Sequence, residues 1–485
     1  MSRHPLHDIM QPKSVAIAGA SADGRGAGFV SPLIELGFKG KIYPVNPKYA
    51  GQDIMGFKTY ATVRDIPDPV DFVISSIPAT QVLPLLDDCA AKGVKLIHFF
   101  TARFSETGRP EAIALEKEVL RRAKAANIRL IGPNCMGVYY PAMGISFNEG
   151  MPRQSGVVGC ASQSGSAVGE IVEAGRVRGC FFTKAISYGN AIDLNESDYL
   201  QYFAEDEDTK IIVMYIEGVR DGKRFFRTLR ETTLRKPVVI IKGGRGKAGT
   251  RATASHTASL AGAMEVWHTA VRQAGAVEVG TIDELMDVAA ALQFLPPTFG
   301  VRVGVAGGSG GSSVMGADQC EEAGLDVIPM PQEIREELKK RGSPIWDWIS
   351  NPADFSIQMG DFNSGGEVIQ LMAEDPHFDM LIMYLSPPHN WGPRRGQGPP
   401  PSLEEHMKRS GIGLTKKPIL AVMQERWRGP ADDIADMMKK SADFRAKLME
   451  VGVPSYPNIQ AAARAANRFV WYYKNREQAL VAECQ

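Results

Sequence analysis

Short runs of consecutive Val, Ile, Leu and Ala recur along this chain, each closed by Gly, Ser, Asn or Pro and most followed by helical spacing. "KSVAIAGAS" (13–21), "GVVGCASQSGS" (156–166) and "VRVGVAGGSGG" (301–311) each open one round of the pattern. "DFVISSIPA" (71–79), "KIIVMYIEG" (210–218) and "DMLIMYLSP" (379–387) come next in each round. "KLIHFFTAR" (95–103), "KPVVIIKGG" (236–244) and "KPILAVMQE" (417–425) follow, and "IRLIGPN" (128–134), "AVEVGT" (276–281) and "VPSYPN" (453–458) close the rounds. Strands that are apolar throughout, rather than alternating, are buried on both faces, which is the condition of a parallel sheet covered by helices. The pattern predicts an α/β chain of three doubly wound domains, 1–145, 146–297 and 298–485, divided near "YYPAMGISFNEGMPRQ" and "FLPPTFG".

Composition narrows the function. The chain has 485 residues, 44% apolar and 23% charged, and its 55 basic residues balance 55 acidic ones. No net field draws it to nucleic acid or to an anionic membrane. The cysteines at 89, 135, 160, 180, 320 and 484 contain no CxxC pair, which argues against structural zinc and fits a reducing, cytoplasmic setting. There is no secretory signal, and no apolar run is long enough to span a bilayer. The eight histidines form neither HxH nor HExxH, so no metal site is expected.

In doubly wound sheets ligands sit beyond the carboxyl ends of the strands. After the first strand, Gly19, Ala20 and Ser21 open a Gly-rich turn suited to a pyrophosphate at a helix N-terminus. The second strand, "KIYPV", ends in Asn46, Pro47 and Lys48, with Lys41 before it. It lacks the carboxylate that would hold the ribose of NAD. A phosphorylated ribose, as in NADP or coenzyme A, fits better; solvated loop lysines are the plainer reading.

The segment "TRATASHTASLAG" (250–262) stands out by comparison with the chain's own repeat. Where the third domain has the amphipathic "QERWRGPADDIADMMKKSADF", the second has small residues around His256. Packing alone asks only for a helix there. Ser162, Ser164 and Gly165 in "SQSGS", and Gly310 and Gly311 in "GGSGGSS", lead two helices whose N-termini suit an anion. Glu217 closes the strand "IIVMYIEG", where its carboxylate either takes the proton of one imidazole nitrogen and leaves the other nucleophilic, or is an ordinary strand-end carboxylate. These residues point to a histidine that accepts a phosphoryl group. Serine-hydrolase chemistry is disfavoured because there is no GxSxG.

"ASHTASLAG" with Glu217, "GPNCMGV" (132–138), "SQSGS" and the Gly-rich helix start at 307–313 resemble the NDP-forming acyl-CoA synthetases, over nearly the whole chain. The resemblance implies a Rossmann-like CoA-binding domain followed by two flavodoxin-like domains. It implies the reaction acid + ATP + CoA ⇌ acyl-CoA + ADP + phosphate, relayed through phosphorylated His256 and an acyl phosphate. It places Glu217 beside His256, the phosphate on the helix starts at Ser164–Gly165 and Gly310–Gly311, and coenzyme A along Gly19–Ser21, Asn46, Lys48, Ser76 and Pro78. Asn134 would lie near the thiol. The family also needs an ATP-grasp module, and neither one nor a Walker-type P-loop is present. The expectation is therefore an α-type subunit in a hetero-oligomer, with ATP/ADP and Mg2+ on a separate ATP-grasp β-type partner. The acyl substrate stays open.

Other readings are a CoA-binding regulatory or sensor protein without turnover, an ATP-independent acyl-CoA transferase, and, more distantly, an NAD-dependent oxidoreductase. The Pro- and Gly-rich stretch 386–406, with Arg394 and Arg395, faces a partner or an acidic substrate, or is simply surface. Trp346 and Trp348 border the acyl pocket or an interface, or pack in the core.

Overall fold

The computed structural model describes residues 4–21, 28–249, 264–354, 364–385, 407, 412, 415–424 and 431–484. The chain divides into two compact units, 1–285 and 286–485.

The first unit holds two parallel sheets. Its strands are β1 (Ser14–Ala18), β2 (Lys41–Val45), β3 (Asp53–Ile54), β4 (Phe57–Lys58), β5 (Phe72–Ser75), β6 (Leu96–Phe99) and β7 (Arg129–Ile131). They continue with β8 (Gly137–Tyr139), β9 (Val158–Ser162), β10 (Phe182–Ser187), β11 (Ile211–Ile216), β12 (Val238–Lys242) and β13 (Val277–Val279). The first sheet runs β2-β1-β5-β6-β7, and β3 and β4 form a small hairpin beside it. The second runs β13-β12-β11-β9-β10-β8, parallel except for β8, which pairs antiparallel to β10. β8 thus joins the second sheet although it lies within the range 1–145.

Counting the parallel strands of each sheet, with the antiparallel β8 set aside, both orders are 2-1-3-4-5, the doubly wound order of flavodoxin. Each therefore has one switch point, β1/β5 in the first sheet and β9/β11 in the second, where successive connections leave to opposite faces. The reason for the buried parallel strands is visible in the residues: every position of β1, β9 and β12 is buried.

The second unit has β14 (Val303–Ala306), β15 (Met380–Tyr384), β16 (Ile419–Val422) and β17 (Ser455–Tyr456), ordered β14-β15-β16-β17 and parallel. Among the described residues, the place of a second strand is taken by two isolated parallel bridges, Arg302–Asp326 and Ala306–Ala353. The helix Ala431–Glu450 follows β16, as the amphipathic pattern there predicts. Trp346 packs against this unit's core and Trp348 is exposed, so the core-packing reading holds for Trp346.

β10 is the strand the apolar pattern does not mark, because Thr183 and Lys184 interrupt it. Lys184 is nonetheless buried. Its ammonium bonds Asp206 Oδ2 at 3.0 Å and lies 4.6 Å from the Tyr140 ring centroid and 5.5 Å from that of Tyr202. Thr209 Oγ1 donates to the same carboxylate oxygen at 2.6 Å. Burial alone would raise the Asp206 pKa; the bonds from Thr209 and Lys184 outweigh it and hold the carboxyl below its ordinary value.

Removing one partner of a buried pair leaves the other charged and unsolvated, at a cost of about 3–5 kcal/mol. Asp206→Ala is therefore expected to lower thermal stability by that order, measured by chemical denaturation. Lys184→Met with Asp206→Leu should recover most of the loss. Because the folded pKa is depressed, the pair's stabilisation is present above the ordinary Asp value and is lost as pH falls through the lower folded one.

Candidate functional site

The switch point of the second sheet is closed by one amide side chain. Gln163, buried just past β9, accepts through Oε1 from the backbone N–H of Glu217 and from that of Gly218 at 2.9 Å. Its own N–H donates to Tyr215 O at 3.0 Å. The loops after β9 and β11 are stitched together in this way, and Glu217 is carried on the second of them, 6% exposed. Behind it, buried Lys242 donates from Nζ to Glu217 O at 2.6 Å and Gly243 O at 2.5 Å. Burial lowers the Lys242 pKa, against the opposing charge of Glu217. Burial, the charge of Glu217 and a hydrogen bond to that carboxylate push the Tyr215 phenol up to about 12. The phenol is a proton donor at every ordinary pH. A methyl at Gly243 would sit 2.6 Å from the Tyr215 hydroxyl and 3.1 Å from Glu217 Cγ, so only glycine leaves room for that contact.

Ser162 and Ser164 form the adjoining turn. Ser162 Oγ donates to Ser164 O at 2.7 Å and accepts from Ser164 N at 3.2 Å. Ser164 caps the helix Gly165–Val177, its Oγ accepting from Ala167 N at 3.4 Å. Gly165 lies against Met136, where a methyl would come within 2.7 Å of Cγ.

In the first sheet, Gly19 has φ +93, and a methyl on it would meet Ser76 Oγ at 2.8 Å. Gly19 N donates to Val45 O at 2.9 Å, and Ser76 donates to Ala18 O through N at 2.9 Å and Oγ at 3.0 Å. Asn46 Nδ2 donates to Ala20 O at 2.7 Å, and its Oδ1 caps the turn of Pro47–Tyr49 by accepting from Lys48 N at 3.0 Å. Gly19, Ala20, Asn46 and Ser76 are thereby one connected strand-end constellation, with Ser21 next to Ala20 in the chain. Lys48 is exposed, its ammonium 4.9 Å from the Tyr49 ring centroid. Lys41, by contrast, bonds Asp68 at 2.8 Å, and Asp68 also accepts from Tyr43; this lysine has a structural partner on the surface.

An open cleft of about 980 Å³ runs between the strand ends of the two sheets, of the size that holds a small-molecule ligand. Its lining unites Ser76 and Pro78 with Asn134 and with Ser164 and Gly165. Asn134 has φ +58, and its N–H donates to Thr101 O at 3.0 Å. Gly19, Ala20, Ser21, Asn46 and Lys48 are outside that lining and reach it through Ser76. Sequence reasoning missed Gln163, Thr101, Arg103 and Arg109 here; only Gln163 had a signal, its place inside "SQSGS".

In the second unit, Gly310 and Gly311 begin the helix Gly310–Glu322, whose N-cap Ser309 makes no side-chain cap bond. A methyl at Gly311 would meet nothing within 4 Å. His256 lies outside the described residues, as do Arg394 and Arg395. Ligand atoms of Glu333, Asp375 and His377 lie within 4.8 Å of one another, but His377 Nδ1 already bonds Asp375 at 3.0 Å on the surface. No helix among the described residues is long and apolar enough to cross a membrane.

A doubly wound domain with a Gly-rich strand end thus shares a cleft with a second one that has a capped Ser/Gly helix start, an arrangement suited to a ligand carrying phosphate. Residues 13–141 match the family described as CoA binding domain, and residues 155–292 that described as succinyl-CoA ligase like flavodoxin domain. The chain is 31% identical over 98% of its length to the alpha subunit of an ADP-forming acetate–CoA ligase I of Pyrococcus furiosus, all of which it covers. It is 37% identical, over 72% of its length, to an ADP-forming acetate–CoA ligase of Methanocaldococcus jannaschii. It spans about half of that relative's length (49%). The dinucleotide forming acetyl-coenzyme A synthetase 1 of Ca. Korarchaeum cryptofilum, solved with phosphate and ADP, matches with a TM-score of 0.79 at 28% identity, covering 99% of both chains. The chain belongs to the NDP-forming acyl-CoA synthetase family.

Gln163→Ala leaves two buried N–H groups, those of Glu217 and Gly218, without their acceptor. An unsatisfied buried donor costs about 1–3 kcal/mol. A loss of stability in that range is expected in urea titration, with Glu217 released from its position.

Proposed function

We propose that the chain is the α-type subunit of an ADP-forming acyl-CoA synthetase. The observation that carries this reading is the cleft, which puts residues expected at coenzyme A (Ser76, Pro78, Asn134) beside residues expected at phosphate (Ser164, Gly165). Glu217 is fastened next to them by Gln163. We take 1–145 as the CoA-binding domain, 146–297 as the domain of the phosphorylated histidine, and 298–485 as the second flavodoxin-like domain.

A carboxylate is a poor acylating agent, so the reaction runs through a mixed anhydride. The γ-phosphoryl group of ATP, held with Mg2+ on an ATP-grasp β-type partner, passes to His256, and ADP leaves. A carboxylate oxygen of the acid then attacks the phosphorus, the P–N bond breaks, and an acyl phosphate forms. The CoA sulfur attacks the acyl carbon, the bond to phosphate oxygen breaks, and acyl-CoA and phosphate result. Glu217 takes the proton of one imidazole nitrogen and leaves the other nucleophilic. Tyr215, protonated throughout, holds that carboxylate in place. The helix start at Ser164–Gly165 supplies backbone N–H groups to the phosphate, and the helix start at Gly310–Gly311 is a second candidate for that role. Gly19, Ala20, Ser21, Asn46 and Lys48 hold the nucleotide end of coenzyme A, and Asn134 stands by the thiol. Cys89, Cys135, Cys160, Cys180 and Cys320 are buried free thiols, which supports a cytoplasmic location.

With an ATP-grasp partner, ATP and Mg2+, an acid-labile phosphoryl group is expected on the peptide containing His256, and His256→Ala should abolish it while CoA still binds. A wild-type His256 left unmodified beside an ATP-loaded partner would exclude the relay. Lys48→Glu should weaken CoA binding about tenfold in calorimetry, the scale of one charge-assisted bond of 1.5–3 kcal/mol; unchanged affinity would place the nucleotide elsewhere.

A further inference from the structure

Arg103 stands four residues beyond β6 and lines the cleft. Its φ is +79, the left-handed region in which Cβ crowds the backbone and which glycine, Asn or Asp ordinarily occupies. Asn134, on the same cleft, also has positive φ.

The turn is held from both sheets. The Glu106 carboxylate accepts from Arg103 N, from Phe104 N at 3.0 Å and from Asn190 Nδ2 at 2.7 Å, Asn190 belonging to the second sheet's loops. Phe104 itself is fully buried. Whatever residue occupies position 103 is therefore forced into the left-handed conformation. The guanidinium is different. It is exposed, and no described residue gives it a hydrogen bond or ion pair, whereas Arg109 in the same lining has Glu111 at 3.6 Å and Thr107 at 3.4 Å. Strain of this kind persists where the surroundings over-determine it, and it clusters at ligand sites.

We infer that Arg103 is a specificity-determining residue whose guanidinium receives an anionic oxygen group of the molecule bound in the cleft. The planar fork suits phosphate or carboxylate, taken two oxygens at a time. The inference rests on the coenzyme A reading. Within it, two sources supply that chemistry, a phosphate of coenzyme A or a second carboxylate carried on the acyl group.

The test titrates the full-length chain by calorimetry with CoA, acetyl-CoA and succinyl-CoA, comparing wild type with Arg103→Gly and Arg103→Lys and recording the Tm of each. Glycine adopts positive φ without the Cβ conflict, so Arg103→Gly should keep or raise the Tm while affinity falls tenfold or more. Equal loss for all three ligands assigns the CoA phosphates; loss for succinyl-CoA alone assigns the acyl carboxylate. Arg103→Lys, which keeps the charge without the fork, should lie between. Unchanged affinities for all three ligands in Arg103→Gly overturn the inference, and so does a marked fall in Tm, which would make Arg103 structural. A wild-type chain that binds none of the three ligands would bring down the coenzyme A reading, and this inference with it.

Discussion

Where a doubly wound sheet reverses its winding, neighbouring strands send their chains to opposite faces, and the peptide groups just beyond the strand ends lose their ladder partners. Buried backbone groups must still be satisfied. The protein meets this requirement twice with different side chains. At β1/β5, Ser76 Oγ and Asn46 Nδ2 take the carbonyls of Ala18 and Ala20. At β9/β11, Gln163 accepts the N–H groups of Glu217 and Gly218, and Lys242 caps the carbonyls of Glu217 and Gly243. The residues assigned to chemistry sit on these stitches, so their positions follow from a backbone requirement that comes before any ligand. Asn46 and Ser76 direct their hydrogen bonds to the main chain, so in the proposed coenzyme A site they would shape the turn as much as touch the ligand.

The cleft depends on the two sheets of the first unit keeping their distance. Arg129 pairs with Asp193 through two bonds of 2.8 and 3.1 Å, and Asp193 also accepts from Leu130 N. Asn190 reaches back to Glu106 and to Glu116. Gly189 lies against the carbonyls of Pro133 and Asn134, where a side chain would collide. Directional bonds and a glycine contact thus fix the loop 132–136 against both sheets. Apolar packing alone would leave it freer to slide, being non-directional.

The architecture was legible because parallel strands buried on both faces leave uninterrupted apolar runs, and those runs recur in the same order three times. β10 was not, since a lysine in a strand reads as a surface position until Asp206, Tyr140 and Tyr202 are seen around it. The loop after β9 was found by its Ser/Gly composition, and Gln163 sits inside that stretch, but its bonds to the N–H groups of Glu217 and Gly218, more than fifty positions away, are not legible locally. Lys41 shows the opposite failure: a lysine that looks ready for phosphate is held by Asp68, an acidic residue 27 positions away that local reading does not bring near. Arg103 was invisible because backbone conformation, not residue type, sets it apart.

His98 shows how the site keeps its charges separate. It is buried on β6, and burial drives its pKa down to about 4, so it is neutral under ordinary conditions. Its Nε2 lies 2.9 Å from Cys135 O, and Gly137 packs directly on its ring. A neutral imidazole here fixes the backbone of "GPNCMG" without adding a cation beneath the cleft. Positive potential around the cleft is left to the helix start at Ser164–Gly165 and to the guanidinium groups of Arg103 and Arg109, all of which line it. A phosphoryl relay gains from that division, because its steps need charge stabilisation at fixed places more than they need proton donors. In the proposed relay the proton traffic would then be confined to one imidazole and the carboxylate of Glu217.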